Sequence, residues 1–331
     1  MASFKLTSFK NDNTWCWFNA PCISTMYLLR KLGMEKIPDD ERNGNFIQNY
    51  FRNWYNSNTI GQSPVDGMRA LIEEFNLGNA DEHINNHQGY DSELFFEALG
   101  GIYMGIQETG CQYLQWLFPF TLEKVTGTVC TVCGHDNSML LRKRQKMVTL
   151  QVALPPARRG IQDSLGELML REMTGNDAQM IKCSNDHCTS RMQKKINKVL
   201  VDPFSNGLIV KLKRRVYQEG AIALPQQQVP EFTDRRRVSM DYSVELPAYH
   251  AGHFFNQKYD LIGALEHTAG GDLESERTQN HSGHWISHLL HENTFVTVDD
   301  NKSLKCSPIE KIELSSMFIF KKNDDNDHIF A

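Results

Sequence analysis

The sequence predicts an α+β protein, with helices gathered in the first third of the chain and a mostly antiparallel sheet after them. Three observations lead there. Up to about Leu117 the apolar residues recur at helical spacing, as in VDGMRALIEEFNLG and SELFFEALGGIYMGI. After Phe118 the texture becomes β-branched and alternating, in VTGTVCTVC, KMVTLQVALP, GLIVKLKRRVY, YDLIGALEH, GHWISHLL and NTFVTVDD. A single helix-like stretch, QDSLGELMLREM, interrupts these strands. A site that draws on both lobes would lie in the groove between them.

The first element is NDNTWCWFNAPCISTMYLLRKLG, residues 11–33. Asn11, Asp12, Asn13 and Thr14 are loop formers, whereas Trp15 and Trp17 enclose Cys16 between two large aromatics. From Pro21 to Leu32, Ile23, Met26, Tyr27 and Leu29 keep helical spacing, and Gly33 is a stop signal. The stretch therefore reads as a polar loop feeding a helix at Pro21, with Cys16 held by its neighbours yet close to solvent.

The totals restrict what the chain can be. With 331 residues, 40% hydrophobic and 23% charged, it can bury one large core or two modest ones. No apolar run approaches the roughly 20 residues that span a bilayer, and the N-terminus lacks a secretory pattern, so the expected place is the cytosol or nucleus. In that reducing setting eight cysteines call for metal binding or nucleophilic chemistry rather than disulfides. A net charge of −5 argues against a nucleic-acid partner, and RKRQK (142–146), KLKRR (211–215) and DRRR (234–237) read as solvated faces.

Cys130 and Cys133 form a C-x-x-C ahead of Gly134, and Cys183 and Cys188 form a C-x4-C about fifty residues later. Two short-range thiolate pairs suit tetrahedral zinc, because each knuckle brings two sulfurs to one point and the metal joins distant segments. The second spacing is wide, which leaves His187 or His135 as possible substitutes for a sulfur. Such a metal would be structural. A nucleophilic cysteine needs a helix N-terminus and a partner imidazole, and Cys16 has the first. Among His267, His281 and His284, the last follows Gly283 and begins an alternating strand, so a rigid edge would present its ring. Asp299 ends the next strand, in VDDN, where a neighbouring strand could bring it to the imidazole.

These residues resemble the ubiquitin-specific protease family. KNDNTWCWFNA is similar to its cysteine box, and YDLIGALEH, SGHW and VDD together are similar to its histidine box. Between the boxes, VTGTVCTVCGHDNSML and KMVTLQVALP resemble the first zinc knuckle and the strand after it, and SLGELMLREM the following helix. GLIVKLKRR resembles a palm strand, so the likeness covers nearly the whole chain in family order. It implies a papain-like cysteine peptidase in one catalytic domain, 1–331, with a helical thumb (about 1–117) and a β-rich palm with zinc-knuckle fingers (about 118–331, fingers around 126–200).

The resemblance assigns the nucleophile to Cys16, the general base to His284, the residue orienting that base to Asp299, and oxyanion stabilisation to Asn11. Asp300 matches a second acid beside Asp299. Asp91 and Glu93, in GYDSELFF, match acids that bind the substrate tail, with one residue fewer between them than the family has. Structural zinc would sit on Cys130, Cys133, Cys183 and Cys188. The implied partners are ubiquitin or ubiquitinated proteins, bound by a monomer without nucleic acid or membrane. Asn13 stands where the family has glycine, Trp15 displaces Thr14, Trp17 replaces tyrosine, and GGDLESERTQNHS lengthens the loop between His267 and His284. Those departures keep open an inactive ubiquitin-binding module, a protease for a ubiquitin-like modifier, or a purely structural zinc protein. The chain begins almost at the cysteine box and ends soon after VDD, so no further targeting or linkage-selecting domain is expected.

Overall fold

Helix α1 (Cys16–Lys31) begins five residues before Pro21, the start that the sequence predicted. Pro21 lies inside it. A proline has no N–H, so the Trp17 carbonyl one turn earlier loses its helical donor. Ser92 replaces that donor, its hydroxyl reaching Trp17 O at 2.9 Å in a buried position. The helix thus tolerates its proline through a hydrogen bond from another element, which no local pattern announces. Thr25 Oγ1 then donates to the Pro21 carbonyl at 2.8 Å.

The computed structural model describes residues 15–37, 46–57, 69, 72, 91–99, 102–103, 106–107, 122–130, 132–135, 145–155, 162–174, 176–179, 182–189, 191, 193–201, 205–217, 231–250, 253–269, 277–279, 283–300, 302 and 304–323. Two further helices follow α1, α2 (Phe46–Ser57) and α3 (Glu93–Leu99). Asp91 starts α3, its Oδ1 accepting the Glu93 N–H at 3.0 Å. Helical spacing runs on through Ile106 in the sequence, but the helix stops at Leu99. Beyond it β1 (Ile102–Tyr103) pairs antiparallel with β2 (Ile106–Gln107). Gly100 and Gly101, two adjacent poor helix formers, explain the stop.

The remaining strands are β3 (Leu122–Cys130), β4 (Gln145–Met147), β5 (Thr149–Ala153), β6 (Asn176–Gln179), β7 (Gln193–Val201), β8 (Gly207–Lys213), β9 (Arg215–Tyr217), β10 (Glu231–Asp234), β11 (Ser243–His250), β12 (His253–Ala269), β13 (Arg277–Gln279), β14 (Gly283–His291), β15 (Thr294–Val298), β16 (Lys305–Cys306) and β17 (Met317–Lys322). Helix α4 (Leu165–Met173) precedes β6, and α5 (Ile309–Glu313) precedes β17. The main sheet runs β16-β15-β14-β12-β11-β7-β3-β4, with β17 joining β12 to β8, β5 on β8, and β6 on β7. The long strand β12 is its spine, with β17 along one side and β11 then β14 along the other.

Alternation divides the core between the two faces of this sheet. Ile209, Leu265, Trp285, Leu289, Met317 and Ile319 pack with Trp17, Phe18, Leu28 and Phe95 of α1 and α3. Their neighbours Leu208, Val210, Leu261, Phe318 and Phe320 pack with α4 and α5 instead. A second, three-stranded sheet has the order β13-β10-β9, so the inserted loop before β14 contributes a strand. Two of the basic runs, KLKRR and DRRR, are not simply solvated faces, whereas RKRQK lies largely outside the described residues. Arg214 is 3% exposed and donates to the carbonyls of Ser315, Asp234, Arg236 and Glu313 at 2.7–3.1 Å. Arg236 grips both oxygens of Asp234.

Candidate active site

Cys16 is the first residue of α1 and is buried. Unpaired N–H groups at a helix start favour negative charge, and the first turn of α1 holds no acid to offset them. The tryptophans on either side of Cys16 are buried, as the sequence suggested, and Phe18 N and Asn19 N both donate to Trp15 O, at 3.0 and 2.9 Å. Cys22, one and a half turns on, is a different thiol, since burial pushes its pKa well up.

His284 is the second residue of β14, opposite Thr268 of β12, whose hydroxyl donates to the His284 carbonyl at 3.1 Å. Gly283 before it allows a close approach: a Cβ there would lie 2.0 Å from His267 Nε2. The His267 ring rests on Trp285 with centroids 4.8 Å apart, which makes His267 a packing histidine. His284 Nε2 lies 2.7 Å from Asp299 Oδ1 and 3.6 Å from Asp300 Oδ2. Nδ1 is then the ring nitrogen left for Cys16, and a hydrogen bond donated by the protonated ring to the sulfur favours the charged imidazolium. That bond raises the His284 pKa to about 9 against the pull of burial, assisted by the Asp299 hydrogen bond and the charges of Cys16 and Asp300.

The two acids have separate supports. Burial disfavours charge on Asp299, yet hydrogen bonds from His284 and Lys302 prevail and hold its carboxyl below the usual range. Lys302 Nζ lies 2.6 Å from Asp299 Oδ2. Asp300 has a φ of 40° and accepts from Asn19 Nδ2 at 2.9 Å. His284, Asp299 and Asp300 also bring a ligand atom each within 4.8 Å of the others, but the Lys302 ammonium already sits on Asp299, so a hydrogen-bonded cluster accounts for them. The structure therefore gathers Cys16, His284, Asp299 and Asp300. Asn11 and His281 lie outside the described residues, as does the inserted loop apart from β13. Asn19 and Lys302 were missed by sequence reasoning, although Asn19, three residues after Cys16, lies within reach on the same helix face.

Asp91 and Glu93 lie elsewhere, between α3 and β8. Lys211 Nζ is 2.7 Å from Asp91 Oδ2 and also contacts Glu93 Oε2, while Gln151 Nε2 donates to Glu93 Oε1 at 3.0 Å. Burial lowers the Lys211 pKa, but the two carboxylates more than restore it. Glu97, one turn along α3, is pushed up to about 7 by burial and by Glu93 and Asp91, with Lys211 opposing. Three acids thus share one ammonium.

The four knuckle cysteines meet at the end of the β3–β7–β6 ribbon. Cys130 Sγ is 3.7 Å from Cys188 Sγ and Cys133 Sγ is 3.7 Å from Cys183 Sγ, all four lying within 4.8 Å of one another. Zinc–sulfur bonds of about 2.3 Å in a tetrahedron place sulfurs about 3.8 Å apart, so the donor set fits zinc. Gly134, at φ 68°, turns the first knuckle. The wide second spacing is closed by Asn185, whose N–H approaches Cys183 Sγ at 3.5 Å and whose carbonyl accepts from Cys188 N. His187 is exposed, and neither it nor His135 belongs to this cluster.

Compared by sequence, the chain matches no protein-family model and no curated protein. Compared by structure, it resembles the SAGA DUB module Ubp8/Sgf11/Sus1/Sgf73 bound to monoubiquitin, at 10% identity and a TM-score of 0.66 over 97% of this chain and 70% of that one. The same module bound to ubiquitin aldehyde gives 11% identity, a TM-score of 0.66 and the same coverage. A yeast SAGA module carrying an Sgf73 mutant gives 11% identity and a TM-score of 0.59 over 97% and 69% of the two chains. At such identities the likeness establishes the fold, a mixed α/β architecture with a large sheet. Among the described residues, no helix is long and apolar enough to cross a membrane.

Proposed function

We propose that the chain is a cysteine peptidase of the ubiquitin-specific protease type, hydrolysing the bond after the C-terminal glycine of ubiquitin. The observation that carries this reading is the hydrogen-bonded series Cys16, His284, Asp299 at a helix start. The Cys16 thiolate adds to the carbonyl, the oxyanion rests near Asn11, and His284 delivers its proton to the leaving amine as the C–N bond breaks. Water, deprotonated by His284, then cleaves the thioester and regenerates the thiol. Asp299 holds the ring in place. The similar structures with bound ubiquitin favour ubiquitin as the partner here.

In this reading residues 1–331 form one catalytic domain that works as a monomer in the cytosol or nucleus, with a papain-like thumb and palm. Cys130, Cys133, Cys183 and Cys188 would hold zinc, which when bound ties the finger ribbon together and takes no part in the chemistry. Asp91 and Glu93 would receive the basic tail of the substrate through the negative charge that Lys211 leaves uncancelled. Turnover of a ubiquitin C-terminal fluorophore tests the reading. Cys16→Ala should abolish it, and Asp299→Asn should lower it roughly a hundredfold or more. Unchanged turnover in Cys16→Ala would refute the assignment, and preferential turnover of another modifier would replace the substrate.

A further inference from the structure

We infer that Asn19 is a positioning residue that acts through Asp300, tying the acidic turn to the helix that carries Cys16 and so holding His284 against the thiol. Its consequence for turnover rests on the peptidase reading, whereas its effect on Cys16 reactivity does not. Asn19 is 1% exposed, and its Nδ2 donates to Asp300 Oδ1 across 281 positions of sequence. Its Oδ1 is buried and finds no hydrogen-bond partner among the described residues. A buried amide with its acceptor unused is a poor choice for stability, since an unmade hydrogen bond in the interior is unfavourable. What the side chain supplies is the one bond to Asp300.

Asp300 needs such an anchor. Its φ of 40° is left-handed, a conformation that aspartate tolerates but does not prefer, and its other oxygen lies 3.6 Å from His284 Nε2. Asp299 is held from within its own turn by Lys302. The Asn19 contact joins Asp300 directly to α1. Asn19 and Cys16 are three residues apart in that helix, so the bond sets the height of the turn relative to the sulfur.

The test is alkylation of Cys16 by iodoacetamide in the full chain, followed by peptide mass from pH 5 to 10. The groups that shape this profile are His284 on β14, His267 on β12, and Asp299, Asp300 and Lys302 on the turn; α1 adds no acid in its first turn. Asn19→Ala should slow alkylation at neutral pH by roughly ten- to a hundredfold and change its pH profile. Turnover of the ubiquitin fluorophore should fall in kcat with KM unchanged. The double variant Asn19→Asp, Asp300→Asn rebuilds the bond with donor and acceptor exchanged and should recover most of the alkylation rate. If Asn19→Ala does not fold, Asn19→Ser, too short to reach Asp300, takes its place. A folded variant that keeps the wild-type profile, or a double variant no faster than Asn19→Ala, would overturn the inference. Wild-type protein whose alkylation depends on Asn19 but which turns over no ubiquitin substrate would support the inference and refute the peptidase reading.

Discussion

A thiol and an imidazole at one point are useful only if the proton rests on the right atom. The pKa of His284, raised to about 9 from an ordinary 6.5, places it on the ring at neutral pH beside a sulfur at a helix start. This has a measurable sign. The folded state binds that proton more tightly than the unfolded chain, so the stabilisation is complete below about pH 6.5 and is lost as pH rises through 9. The melting temperature of wild type should therefore exceed that of His284→Gln by more at pH 6 than at pH 9.5; a margin that widens with pH would contradict the assignment. Ser92 gives a second test at this scale. Ser92→Ala removes the hydroxyl that donates to the buried Trp17 carbonyl and should destabilise the fold by about 1–3 kcal/mol in denaturant unfolding. Cys16, His284 and Asp299 were legible in the sequence because each has a local signature: a cysteine between two tryptophans in a loop ahead of a helix, a glycine before a strand, a strand end. Asn19 and Ser92 had none, since their partners lie 281 and 75 residues away.

Strands supply the precision of the site. β14 and β15 form one hairpin whose turn is at Glu292 and Asn293, both at positive φ, so His284 and Asp299 stand together at its open end. Between them and the turn, the fully buried His288 bonds Glu266 at 3.1 Å and Ser307 at 2.9 Å, with Thr297 at 3.2 Å, fixing β14 to both neighbours. The strands of the second half were legible from alternation, whereas the start of α1 was not, because a proline conceals helix that other residues support. The C-x4-C pair was readable as a ligand set, but not the Asn185 bonds that close it. At this scale zinc should stabilise the β3–β7–β6 ribbon without touching the chemistry. Metal-free protein should melt at lower temperature and bind ubiquitin more weakly, while alkylation of Cys16 keeps its pH profile. Elemental analysis of protein purified without chelator should find one zinc per chain, and none would remove the metal from the account.

At the scale of the whole molecule, contacts of two kinds, among others, hold the helices to the sheet. One is the apolar contact of Trp17 and Phe18 with β12, β14 and β17, and the other is Lys211 of β8 with Asp91 and Glu93 at the start of α3. The second carries an excess of acid, and Glu97 registers it. Its pKa of about 7 against an ordinary 4.5 means that this carboxyl, neutral in both states below pH 4.5, costs nothing there and opposes folding increasingly as pH rises through 7. Glu97→Gln should accordingly raise the melting temperature at pH 8 and leave it nearly unchanged at pH 4; no gain at pH 8 would show that Lys211 already neutralises the cluster. The α+β class and the helix-to-sheet order were legible from texture, but the pairing of Lys211 with both acids was not, because it joins residues about 120 positions apart. The central claim is that this fold presents Cys16 as a nucleophile to the end of a ubiquitin tail. Incubation with a ubiquitin C-terminal electrophile, followed by intact mass, tests it most directly. The account predicts one ubiquitin added to wild type, mapped to Cys16 and absent from Cys16→Ala while Cys22→Ala still labels. Wild type left unmodified, or labelling that survives loss of Cys16, would contradict it.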